Sequence, residues 1–259
     1  MPLEIENKNH ISIVTINNPP VNALAREDVM SLMDHFLALG ANDGIRVAVL
    51  TGAGEKAFCA GLDYKRGGDR GGDYGEYKDP RDRGADGGAA DAIWDCRVPV
   101  IGAINGPALG GGLVMAACCD YLIGSTKAQF GLPQIWMGGL GGGGHAFRIF
   151  PQGLARSMQY TGEYIDAERA YQVGALNELV KPDKLMDRAL EEAKKLATKL
   201  PAGTKAAKEA LNLMELAMPD IKMAHKIEQP VMARMRGSED QQEARSAWLE
   251  HREPKFSDD

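Results

Sequence analysis

The chain has 259 residues, 44% hydrophobic and 25% charged, with a formal net charge of −6 at neutral pH. That length allows one large domain or a core with an appendage, and the acidic balance argues against a nucleic-acid surface, which needs a basic face. No apolar run approaches the roughly 20 residues that span a bilayer, and the opening MPLEIENKNHIS lacks the basic-then-apolar pattern of a signal peptide.

Cys59, Cys96, Cys118 and Cys119 form neither a CxxC pair nor a disulfide-like framework. They read as small buried residues in a reducing compartment, so a soluble, cytoplasmic protein is expected. The 31 glycines are the unusual feature, and they are clustered.

In chain order, His10–Asn17 alternates apolar and polar residues and predicts a half-buried strand. After Asn18-Pro19-Pro20, the helical spacing of Val29, Leu32, Met33, Phe36 and Leu37 predicts a helix over Arg26–Gly40. Arg46–Thr51 predicts a buried strand, and strand, helix, strand at this distance implies parallel pairing through a crossover. Lys65–Ala90 is charged, Gly-rich and almost free of aliphatic residues. Such a segment cannot order itself by burial; it reads as a disordered surface loop or, the reading adopted because of what flanks it, as an active-site lid that orders over ligand.

Val98–Ile104 predicts another apolar strand, with Pro99 confined to its start or to an edge. Gly110–Gly112 leads into Leu113–Cys119, a small-residue stretch expected to be a buried helix, and Tyr121–Ser125 returns as a strand. Asp166–Val173 with Gly174 predicts a short capped helix, and Ala175–Lys181 a last strand. From Asp183 the pattern is helical: Leu185, Ala189, Ala193, Leu196 and Leu200 step along one face. Pro201 and Pro219 punctuate this region, and Ser238–Gln241 is a capping box opening a final helix through Trp248. The division expected is an α/β core over residues 1–200 and a helical region over 201–259.

Three segments in this order resemble the crotonase superfamily, which includes enoyl-coenzyme-A (CoA) hydratases and isomerases. They are Lys56–Asp63 (KAFCAGLD), Pro99–Asp120 (PVIGAINGPALGGGLVMAACCD) and Ala128–Ile149 (AQFGLPQIWMGGLGGGGHAFRI). Thr161-Gly162-Glu163, Asp166-Ala167-Glu168 and the C-terminal SEDQQEARSAWLEHREPKF add to the likeness, which covers nearly the whole chain. The resemblance implies a spiral of ββα turns with a helical C-terminal region that supports homotrimers, often stacked as hexamers. The apolar faces of Leu211–Met218 and Val231–Met235 suit such an interface. It also implies an acyl-CoA substrate, with CoA as part of the substrate and no tightly bound cofactor, nucleic-acid partner or membrane partner.

In this family the donors that hold the thioester oxyanion fall at positions matching Leu62 and Gly111. Residues Ala60, Leu62, Asp63, Tyr64 and Lys65 would line the CoA site. Two converging N–H groups in a dry site are what a thioester carbonyl gaining negative charge requires, each typically worth ~10²–10³ in rate. Glycines before a helix let backbone approach closely, and the helix N-terminus adds partial positive charge.

The chain departs from the hydratase pattern at both glutamates. The position on the helix after the glycine triplet is Val114, and the G-x-P-E-I stretch is Gly131-Leu132-Pro133-Gln134-Ile135. Valine exchanges no proton, and glutamine orients a water or carbonyl without acting as a base. General acid–base groups contribute ~10²–10⁴-fold, so ordinary enoyl hydration should be severely impaired. Decarboxylation, carbon–carbon cleavage or another lyase-type reaction is expected instead. Decarboxylation needs the least, since the departing carboxylate supplies the electrons, and losing two glutamates relieves repulsion against an anionic substrate.

His145 is the main titratable candidate, with packing at a helix start as its alternative role. Trp136, Met137 and Val114 are expected to wall the acyl pocket. Asp63 reads as a turn residue. The rival readings are a β-dicarbonyl hydrolase that requires no CoA and uses His145, and a non-catalytic acyl-CoA-binding protein. There is no phosphate loop, dinucleotide fingerprint or nucleophile elbow, and no histidine stands at metal-ligand spacing, so no metal is expected.

Overall fold

The structure, a computed structural model, describes residues 3–41, 44–63, 87–137, 141–217 and 238–256. Its main sheet contains β1 (Leu3–Lys8), β2 (Ile11–Ile16), β3 (Val47–Gly52), β4 (Val100–Ile104), β6 (Tyr121–Ser125) and β9 (Glu178–Val180), adjacent in that order. A smaller sheet joins β5 (Pro107–Leu109), β7 (Gln129–Gly131) and β8 (Ile165–Asp166). In the main sheet β1 pairs antiparallel with β2 and every later pairing is parallel.

Parallel strands covered on both faces read as continuous apolar runs, and every residue of β3 (VAVLTG) is buried. Strand alternation sends Val47, Val49, Ile101 and Ala103 to one face, where Leu185, Ala189 and Ala193 of α7 (Leu185–Ala197) cover them. Ala48, Leu50, Val100 and Ile104 go to the other face. There they meet the apolar side chains of α1 (Arg26–Ala41), α2 (Gly87–Trp94) and α3 (Gly111–Cys118).

The chain repeats one operation: a strand to the main sheet, a short strand to the small sheet, then helical structure. Thus β4 and β5 precede α3, and β6 and β7 precede a 3-10 turn (Pro133–Met137) and α4 (Gly143–Ile149). These turns make the crotonase-type α/β spiral. Next come α5 (Gln152–Thr161), α6 (Ala167–Gln172) and, after α7, α8 (Pro201–Ala217) and α9 (Glu239–Leu249).

Several local expectations recur. Asp166 caps α6 by accepting from the Arg169 N–H at 2.7 Å. Ser238 Oγ accepts from the Gln241 N–H at 3.2 Å, and α8 begins at Pro201, where that residue costs no helical hydrogen bond.

Other expectations are corrected. Gly87–Ala90, read as the end of the lid, open α2, with Ala89 and Ala90 fully buried. Residues 65–86 lie outside the described residues. The last strand is only Glu178–Val180, because Ala175 and Leu176 form the turn after α6, both bonded to the Ala170 carbonyl. Leu196 and Leu200 are only partly buried. Strand β1 was not expected: all but its first residue are exposed, so alternation carries no signal there.

α3 is entirely buried and anchored at its C-terminal end, where cations complement the helix dipole. Arg148 Nη1 donates to the Ala117 and Cys119 carbonyls, and its guanidinium lies 4.5 Å from the Trp94 ring centroid. Lys208 of α8 donates to the Ile93 and Val98 carbonyls and, at 2.8 Å, to Asp120. This places an ion pair, buried at its lysine and part-buried at its aspartate, just beyond the C-terminal end of α3 and ties α8 to the core.

Candidate active site

The site is built where the segment after β3 passes the start of α3. Leu24 pairs with Leu62 in an isolated parallel bridge: the Leu24 N–H donates to Gly61 O and the Asp63 N–H to Leu24 O, both at 2.8 Å. In such a bridge the flanking residues make the bonds, so the N–H of Leu62 points away from Leu24. On the segment's other edge, Cys59 pairs with β5 through Cys59 N to Pro107 O (3.2 Å) and Leu109 N to Cys59 O (2.9 Å). Just beyond, β5 ends, the chain turns at Gly110, and α3 starts at Gly111. As the first helical residue, Gly111 has an N–H without an intrahelical acceptor.

Two glycines let these backbones meet. Gly61 has φ +89°, and a β-carbon there would lie 2.9 Å from Leu109 O and 3.1 Å from Gly111 N. A β-carbon on Gly112 would lie 2.0 Å from Cys59 O, which excludes any side chain. The 61–62 peptide therefore rests against the first turn of α3, and the structure brings Leu62 and Gly111 together.

Gln134, on the 3-10 turn, lies over the same place. Its Nε2 is 3.3 Å from where a β-carbon on Gly110 would sit, and its Oε1 is buried with no hydrogen-bond partner. Val114 stands one helical turn on, its N–H donating to Gly110 O at 3.1 Å. It is 2% exposed, and its Cγ2 lies 2.9 Å from the β-carbon position of Gly142, which also abuts Leu132. The glycine turn before α4 thus packs directly on the valine.

His145 follows as the third residue of α4, half-buried, in the turn whose cap, Gly142, touches Val114. Trp136 has another neighbourhood: its indole N–H donates to Thr161 O at 2.8 Å, its ring lies 5.7 Å from that of Tyr164, and it is 63% exposed. Met137 closes the 3-10 turn, with its side chain outside the described set. Ala60 and Asp63 are half-buried and tied by their N–H groups to Val21 and Leu24. Tyr64 and Lys65 lie outside the described residues.

Sequence reading passed over Gln159 of α5. Its Oε1 lies 3.1 Å from the β-carbon position of Gly143, and its Nε2 is buried without a partner. The signal was present: Gln159 follows Ala155 and Met158 on the helix face that turns inward.

Cys118 and Cys119 contribute no nucleophile. Burial pushes the Cys118 thiol up to about 12 and that of Cys119 higher still. Among the described residues no group of three His, Cys, Asp or Glu could hold a metal ion, and no helix is long and apolar enough to cross a membrane.

A ββα spiral that brings the first N–H of a buried helix against a glycine-shaped turn defines a particular class of enzyme fold. The chain belongs to the enoyl-CoA hydratase/isomerase family, whose profile matches residues 6–259. It is 36% identical to an (E)-benzylidenesuccinyl-CoA hydratase of Thauera aromatica, over 99% of each chain. It is also 36% identical to a (7aS)-7a-methyl-1,5-dioxo-2,3,5,6,7,7a-hexahydro-1H-indene-carboxyl-CoA hydrolase of Rhodococcus jostii, over 85% of this chain and 83% of the relative. Among solved structures, an enoyl-CoA hydratase from Bacillus anthracis superposes with a TM-score of 0.88 at 27% identity, covering all of both chains.

Proposed function

We propose that this chain acts on acyl-CoA thioesters, with the N–H groups of Leu62 and Gly111 as an oxyanion hole, and that its reaction is not simple enoyl hydration. Reactions in which a breaking bond supplies electrons to the α-carbon fit the site better. The observation that carries this reading is the pairing of a donor-lined turn with Val114 and Gln134, neither of which can transfer a proton. In hydrolytic cleavage of a β-oxo acyl thioester, water adds to the β-carbonyl carbon and the Cα–Cβ bond breaks. Its electron pair moves to the α-carbon, and the thioester oxygen carries the enolate charge against the two N–H groups. A proton then returns to the α-carbon, leaving a carboxylic acid and a shortened acyl-CoA. Decarboxylation reaches the same enolate with carbon dioxide as the leaving group. Such N–H donors are worth about 2.7–4 kcal/mol each in a dry site.

Gln134 orients water or a substrate carbonyl in this scheme, and His145 is the titratable group nearest in sequence to the Gly142–Val114 contact. The relative named as hydrolase of a dioxo carboxyl-CoA compound supports an oxygen-rich acyl group; the relative named as hydratase marks the competing reaction. The reading includes self-association as a trimer or hexamer. Leu211, Leu213 and Leu216 of α8 are exposed in the single chain, and sedimentation as a monomer would overturn that part.

The test is crotonyl-CoA hydration by the native protein and by Gln134→Glu, with acyl-CoA binding measured by calorimetry. Binding without native hydration, and hydration gained on Gln134→Glu, is the expected result. Robust native hydration overturns the reaction class, and absence of acyl-CoA binding overturns the substrate class.

A further inference from the structure

A buried polar atom without a partner is costly, and one beside a ligand site calls for a functional account. Two such atoms belong to side chains that touch the glycine turns opening α3 and α4. Gln134, whose Oε1 is an unmet acceptor, lies against Gly110, and Gln159, whose Nε2 is an unmet donor, meets Gly143 through its Oε1. Between them run Gly110, Val114 and Gly142 in unbroken contact: Val114 N donates to Gly110 O, and Val114 Cγ2 abuts Gly142. The two amides reach this place from separate elements, the 3-10 turn and α5. Gly142, beside Gly143, packs on aliphatic Val114 and Leu132, both almost fully buried.

A packing role alone does not explain Gln159. Its neighbours on the inward face of α5 are Ala155 and Met158, and an aliphatic side chain would fill the same volume without an unmet donor. Between apolar walls an amide N–H discriminates strongly between an acyl chain that brings an oxygen and one that does not, because the latter leaves the donor unpaired.

We propose that Gln159 is a specificity-determining residue that selects acyl groups carrying an oxygen beyond the thioester carbonyl, its Nε2 donating to that oxygen. The inference rests on the acyl-CoA reading above and narrows it to oxo- or carboxy-substituted acyl thioesters. The unmet acceptor on Gln134 belongs to the side chain that lies against Gly110, at the start of α3. It can take a hydrogen from a hydroxyl, an enol or the attacking water, so one amide recognises substrate oxygen while the other steers a proton-bearing group.

The experiment measures calorimetric affinities of the full chain for butyryl-CoA, acetoacetyl-CoA and succinyl-CoA, in the native protein and in Gln159→Leu. Any enolate bonding of acetoacetyl-CoA at Leu62 and Gly111 is common to both proteins and cancels in the ratio. The expected result is that Gln159→Leu binds at least one oxygenated thioester roughly three- to tenfold more weakly, the loss of one neutral hydrogen bond, with butyryl-CoA unchanged. Thermal unfolding is expected to be unchanged or raised, because a buried unmet donor has been removed. A purely structural glutamine would instead lower the unfolding temperature and leave the affinity ratios unmoved, and that outcome overturns the inference alone. If butyryl-CoA binds natively and the ratio persists in Gln159→Leu, the inference likewise falls while the function stands. If none of the three binds the native protein, both fall together.

Discussion

Replacing Gly61 by alanine tests the proposed oxyanion hole without replacing either donor residue. The added β-carbon would meet Leu109 O at 2.9 Å and Gly111 N at 3.1 Å, both backbone atoms that cannot swing aside. Residue 61 also sits at φ +89°, where an L-residue costs roughly 1–2 kcal/mol. Gly54 supplies the control, since it has φ +71° and nothing within 4 Å of its β-carbon position. Gly54→Ala should lose only the conformational part, about 1–2 kcal/mol in denaturant unfolding. Gly61→Ala should lose more, and it should also push the first turn of α3 away from Leu62.

Loss of one oxyanion donor typically costs ~10²–10³-fold, so enolate stabilisation should fall by about two orders of magnitude in Gly61→Ala and hardly at all in Gly54→Ala. Ultraviolet absorbance of acetoacetyl-CoA bound as its enolate reads this directly. Equal enolate binding by the native protein and Gly61→Ala would refute the assignment of Gly111, and an equal loss in both variants would show that the effect is global.

Two further predictions concern the neighbouring residues. Val114→Glu should not create a hydratase, because the side chain is 2% exposed and closed in by Gly142. A carboxylate buried there without a cation should destabilise the fold by about 3 kcal/mol or more, read by denaturant unfolding, and a stable, hydrating variant would contradict the packing. Cys118 and Cys119 should resist iodoacetamide at pH 8 in the native state: burial holds Cys118 near about 12 and Cys119 higher, so the thiolate is scarce as well as inaccessible. Their labelling should follow unfolding, and rapid labelling of native protein would contradict both.

The spiral's periodic parts could be read directly from the residues. β2, α1, β3, β4, α3 and β6 each bury a face or a whole segment, and burial imposes an apolar period that survives without any partner in view. α4 was anticipated only as a helix start at His145, because Gly143-Gly144 carry no side-chain pattern, and α5 was missed because it mixes exposed Tyr160 with buried Ala155. The small sheet was missed because strands of two or three residues are too short to show alternation.

At the candidate site the residue types alone indicated that Val114 and Gln134 transfer no proton, since that depends on chemistry and not on position. The glycine clusters likewise signalled close backbone approach before any coordinate was known. Only the tertiary structure decided that Gly61 lies against Gly111, that Gly142 closes over Val114, and that Trp136 turns to Thr161 and Tyr164. Gln159 belongs with these. The contacts join residues tens of positions apart, and which atoms meet there is set by how successive turns of the spiral stack, a relation no local pattern encodes.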